Sequence, residues 1–211
     1  MSVFDSAIAA IRANRRAYVA INVGYYGLVF LGMIVAAFFP SVQHVLLDRL
    51  HRALNFGILG WVAEAYRSGN FMAAALLTFL VNSLLGAIAY ITLPSVPLPF
   101  AGCLLAFYRA ALWGLTLAPT SARMLFLMAP HSVTLLLEGQ AYVLAAFGCY
   151  LWGKWFLLPR QSGFATRTQA YAAGFRVSAQ LYSMILPLLA ISAVYEAAEV
   201  IVITHLMRHL A

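Results

Sequence analysis

Charge is what this sequence has least of. Asp, Glu, Lys and Arg together make up 9% of its 211 residues, against about 25% in an ordinary soluble domain. So few charges cannot cover a globular surface in water, which excludes a free-standing soluble fold. Acidic residues are the scarcer kind, six against thirteen Lys and Arg, for a net charge of +7. Cysteine is almost missing as well. Cys103 and Cys149 both fall in apolar stretches without CxxC spacing, which reads as two buried thiols rather than a disulfide or metal pair. No HExxH, GxSxG or comparable pattern occurs, so the chain is read as non-enzymatic and without a cofactor or metal. No basic run is interleaved with exposed aromatics, which leaves nucleic acid out as a partner.

What is present is apolar: 64% of residues are hydrophobic and the mean hydropathy is +0.89. The pattern predicts an all-α fold, a polytopic transmembrane helical bundle forming one domain over 1–211. It predicts about five crossings, an amphipathic interfacial helix and a short non-crossing or re-entrant helix. Residues 1–16 read as an amphipathic cytoplasmic N-terminus, with Phe4, Ile8 and Ile11 on one face and Arg12, Arg15 and Arg16 before the first span. The crossings are expected at 17–39, 71–93, 100–118, 132–155 and 177–203, with Pro187 kinking the last. Between the first two, 41–67 alternates Val42, Val45, Leu46, Leu50, Leu54, Ile58, Trp61 and Val62 with Asp48, Arg49, His51, Arg52, Asn55 and Glu64. That periodicity describes a helix lying in the interface plane, interrupted near Gly57 and Gly60. Pro119 and Pro130 bracket an apolar piece, Met124 to Ala129, too short to cross. With that piece non-crossing, Arg12, Arg15, Arg16, Lys154, Arg160, Arg167 and Arg176 lie on the cytoplasmic side, opposite Arg49, Arg52, Arg67, Arg123 and Arg208. Seven against five follows the positive-inside bias and orients a multi-pass protein of the inner (cytoplasmic) membrane.

A few polar residues lie inside these apolar spans, where they are costly. Asn82 sits near the centre of the second span and Arg109 halfway down the third. Helical spacing puts His131, Thr134 and Glu138 on one stripe, with Tyr142 a turn further, and Ser192, Glu196 and Glu199 on another. Two glutamates three residues apart repel unless a cation is near or one is protonated. Arg109 is the only basic residue deep in a span and so the expected counterion for Glu138, Glu196 or both. The constellation reads either as a lock on helix register or as a substrate, ion or proton site. His205 and His209, four residues apart at a basic chain end, read as surface histidines.

The segment PHSVTLLLEGQAYVLAAFGCYLWG, Pro130 to Gly153, resembles the stage II sporulation protein M (SpoIIM-like, DUF95) family in its Pro-His turn, following Glu and small-residue helix. Asn82 with Gly86, Phe100 to Pro119, and SAVYEAAEV at Ser192 to Val200 are similar to further parts of that family, so the likeness spans 71–203. The chain departs from it with Ser132 in place of a Gly and Arg109–Ala110 in place of an Asn-Gly pair. The resemblance implies a non-enzymatic membrane scaffold or subunit of a larger complex, partnered by the lipid bilayer, by other membrane proteins or a second copy, and by cell-wall enzymes. A permease or transporter component is the alternative, moving a small molecule, lipid-linked group or peptide with an ATP-binding transport subunit.

Overall fold

A computed structural model describes the backbone over residues 2–210 and the side chains through Met207, so His209 lies outside the described side chains. Among the described residues the regular structure is entirely helical. Ser2 starts α1 (Val3–Ala13) with a capping box: its side chain accepts from the Asp5 backbone N–H, while Asp5 accepts from the Ser2 backbone N–H at 3.0 Å. After Asn14 the chain continues as α2 (Arg15–Phe38), 24 residues with only apolar and small uncharged groups after its first turn apart from Asn22 and the tyrosines. Pro40 ends it and opens α3 (Pro40–Ala53) at a first-turn position that tolerates proline. Gly57, at φ +58°, begins α4 (Gly57–Arg67). The next span joins α5 (Phe71–Leu80) to a π-helical continuation, Val81–Thr92. Then come α6 (Ala101–Leu117), α7 (Ala122–Leu157) and α8 (Arg167–Leu210).

Four helices are long and apolar enough to cross a membrane, and α6, at 17 residues, is a shorter apolar helix. The chain is a multi-pass membrane protein. Contacts across the bundle give the helix directions. Gly24 faces Phe107 and Gly32 faces Gly114, so α2 and α6 run parallel. Asn82 meets Glu138 and Gly86 meets Tyr142, so the second span is parallel to α7. Thr134 meets Ser192 and Gly148 meets Ser178, so α7 and α8, the largest helix pair, are antiparallel. Gly102 faces Cys149 and Arg109 meets Tyr142, so α6 is antiparallel to α7 and the five helices alternate up and down. Gly32 and Gly114 permit the α2–α6 approach: a Cβ on Gly32 would lie 2.6 Å from the Ala111 carbonyl oxygen. Close backbone contact of this kind replaces a hydrophobic driving force that lipid cannot supply.

Two expectations from the sequence are corrected. The piece from Met124 to Ala129 is not a separate non-crossing or re-entrant helix, because α7 runs unbroken through Pro130 for 36 residues. Proline removes one N–H and loosens the turn before it. Here Ser132 Oγ donates to the Ala129 carbonyl at 2.7 Å and the Tyr195 hydroxyl of α8 to the Pro130 carbonyl at 3.1 Å, so side-chain bonds brace the turn beside the proline. The polar connection after Lys154 is also shorter than expected. α8 already begins at Arg167 and continues through Pro187.

Candidate functional site: a polar cavity inside the bundle

The second span, α6, α7 and α8 enclose a partly open cavity of about 340 Å³. Leu50 of α3 and Leu59 and Val62 of α4 close over it. This cover is tethered by Gln43, a buried residue whose amide donates to the Thr116 and Ala118 carbonyls at 3.1 and 2.8 Å and accepts from Thr120. Gln43 thus occupies carbonyls that the end of α6 would otherwise leave orphaned. It was invisible in the sequence, where it is one polar residue in an amphipathic helix with partners more than seventy positions away.

Most of the intramembrane polar residues singled out from the sequence converge here. Asn82, Arg109, His131, Thr134, Glu138 and Glu196 all line the cavity. Asn82 donates through Nδ2 to Glu138 Oε1, and Glu138 is only 4% exposed. The stripe on α7 and the stripe on α8 meet as helical spacing required. His131 Nδ1 lies 3.0 Å from Glu199 Oε1, and Thr134 Oγ1 donates to Glu199 Oε2 at 3.1 Å. The Glu199 side chain is 4% exposed, so two polar partners accompany a buried carboxyl, as burial demands. Glu196 lies against Glu138 and the Tyr66 hydroxyl of α4, and Tyr66 in turn shares a hydrogen bond with Thr78 at 3.0 Å.

Arg109 departs from the expectation. It makes no ion pair with Glu138 or Glu196 among the described residues. Its Nη2 donates to the Tyr142 hydroxyl at 3.1 Å, and its guanidinium carbon stands 4.4 Å from the Tyr142 ring centre and 4.9 Å from that of Trp113. Two aromatic faces hold the cation by cation–π attraction, while its Nε is buried with no hydrogen-bond partner. The side chain beside Glu199 is His131 instead, whose ring is a cation only when protonated. A guanidinium can satisfy itself against π-faces lining its own pocket, and the apolar pattern that located the spans carries no information on which rings those are.

The arrangement can act on charge in two ways. Glu138 and Glu196 place two carboxyl groups side by side, a pair that a proton or a cation must reconcile, and Arg109 presents a donor to an acceptor group. The cavity is therefore polar at both poles and apolar on its cover. No family model, curated protein or solved structure matches the chain, so the likeness to SpoIIM-like proteins rests on the quoted residues alone.

Proposed function

We propose that the chain is a permease-type subunit of the cytoplasmic membrane whose bundle binds a small polar solute at the Arg109–Glu138–Glu196 cavity. The single observation that carries this reading is the partly open cavity holding Arg109 and two carboxyl groups at membrane depth, where charges are retained chiefly for ligand or ion pathways. A solute with a cationic group would face Glu138 and Glu196, and an acceptor on the same molecule would meet the Arg109 guanidinium. The π-helical stretch that carries Asn82 adds to this reading, since such irregular turns recur at functional sites. α3 and α4, attached by Gln43, form its cover.

Detergent-purified protein screened by thermal unfolding against small zwitterions and organic cations tests the proposal. At least one class is expected to raise Tm in the native chain and to fail in both Glu138→Gln and Arg109→Gln. No shift with any class, together with no flux into reconstituted vesicles with or without an ATP-binding partner, sinks it.

The scaffold reading has its own support in the His131–Glu199 and Thr134–Glu199 bonds, which clamp α7 to α8. Mild-detergent pull-down separates the two. Recovery of cell-wall enzymes that is lost together with stability in Glu199→Gln favours a scaffold.

A further inference from the structure

A second recess lies at the opposite, basic end of the bundle, where three helices meet. Arg12 of α1, Arg15 and Arg16 of α2, and Lys154 and Tyr150 of α7 line a hollow of about 650 Å³. An apolar groove of about 800 Å³ continues from it along α2, headed by the same Arg15 and Arg16 and floored by Val19, Ala20, Val23 and Gly24. Val19 and Val23 are 47% and 68% exposed.

The four cations make no ion pair among the described residues. Of the six carboxylates in the chain, only Asp5 belongs to this end, and it is engaged by Ser2 in the α1 cap. Asn14 does not cap α2 either, since its side chain turns back to the Ala10 carbonyl. The corner itself is fixed, because α1 packs on α8 through the buried Ala7. Positive charge at helix ends is ordinary in a membrane protein. Four unpaired cations converging from three helices, with an exposed apolar groove leading from two of them along a spanning helix, is a more specific arrangement.

We infer that this end binds one anionic phospholipid, its phosphate diester held by Arg12, Arg15, Arg16 and Lys154 and one acyl chain lying in the α2 groove. Basic recesses between spanning helices select anionic headgroups in this way. A zwitterionic choline headgroup adds a positive charge that the four cations repel. A soluble phosphate would leave the groove unused.

Native mass spectrometry of the delipidated chain tests this, with phosphatidylglycerol compared against phosphatidylcholine of the same acyl chains. One phosphatidylglycerol per chain is expected to be retained, and retention is expected to fall with rising salt. The R12Q/K154Q variant is expected to lose at least about tenfold in affinity with unchanged helix content. V23W, which fills the groove without touching a charge, is expected to release the long-chain lipid while still binding dihexanoyl-phosphatidylglycerol. Equal retention of the two long-chain lipids overturns the inference. So does displacement by inorganic phosphate at equal concentration, which would mark a small-anion site. If R12Q/K154Q does not fold, V23W decides, and undiminished long-chain retention there overturns it.

Discussion

At the scale of single residues, the interior of this bundle is held by a few polar contacts in an otherwise apolar medium. Asn82 is the partner of Glu138, and Asn82→Ala leaves a buried carboxyl without its donor. The expected cost is roughly 1–3 kcal/mol, read as a lowered midpoint of unfolding in detergent. His131 and Glu199 should couple in a double-mutant cycle of His131→Ala and Glu199→Gln by about 0.6 kcal/mol and no more than about 1.7, the average and the maximum for such bonds in a membrane bundle. Additive single effects would show that the contact contributes nothing. Outside the spans, Asp5 carries the pH dependence of α1. Hydrogen bonds from Ser2 hold its carboxyl below the usual value of 3.8. A group depressed on folding stabilises above its unfolded value and loses that contribution as pH falls through the folded one. The protection of α1 amides from exchange, relative to the intrinsic rate at each pH, is therefore expected to fall below about pH 4, and Ser2→Ala to remove that dependence. Hydrophobic patterning located Asn82, Arg109, His131, Thr134, Glu138, Glu196 and Glu199 in the sequence, because a polar residue in an apolar run stands out locally. It could not pair them. Arg109 with Tyr142 and Trp113, and His131 with Glu199, are choices made by helix rotation and packing.

At the scale of elements, proline and glycine act according to their surroundings. Pro130 looked like a stop and is not: α7 continues through it, and the Ser132 and Tyr195 hydroxyls brace the turn beside it through the Ala129 and Pro130 carbonyls. Tyr195 lies 65 positions away, so its part of the bracing has no signature near the proline. Pro130→Ala should leave the span intact, with unchanged helix content by circular dichroism. Gly32 and Gly114 are different: backbone meets backbone there, and no rotamer change can make room. Gly114→Leu is expected to separate α6 from α2 and destabilise by roughly 1–3 kcal/mol or more. A midpoint of unfolding equal to that of the native chain would show that the two helices part without cost. The lengths of α7 and α8, about 54 and 66 Å at 1.5 Å per residue, exceed a hydrocarbon layer of about 30 Å. Both helices tilt or project beyond the bilayer.

At the scale of the whole molecule, alternating helices give a definite topology. The helix directions place the end of α1 and the Arg160–Ser162 turn on one side, and Asn70 and Ser121 on the other. Single cysteines at Ser6 and Ser162 in a background lacking Cys103 and Cys149 should share one labelling side in vesicles, and Asn70 and Ser121 the opposite side. Any other division contradicts five alternating spans. The sequence alone determined that the chain lives in a membrane, where its first three apolar spans begin and end to within a few residues, and which polar residues lie at depth. Those properties follow from composition and periodicity, which are local. The continuity of α7, the counter-partner of Arg109, the Gln43 tether and the convergence of Arg12, Arg15, Arg16 and Lys154 were decided only by tertiary structure. Each depends on residues distant in sequence being brought together by helix packing, and a pattern of period 3.6 says which face is apolar but not which neighbour it meets.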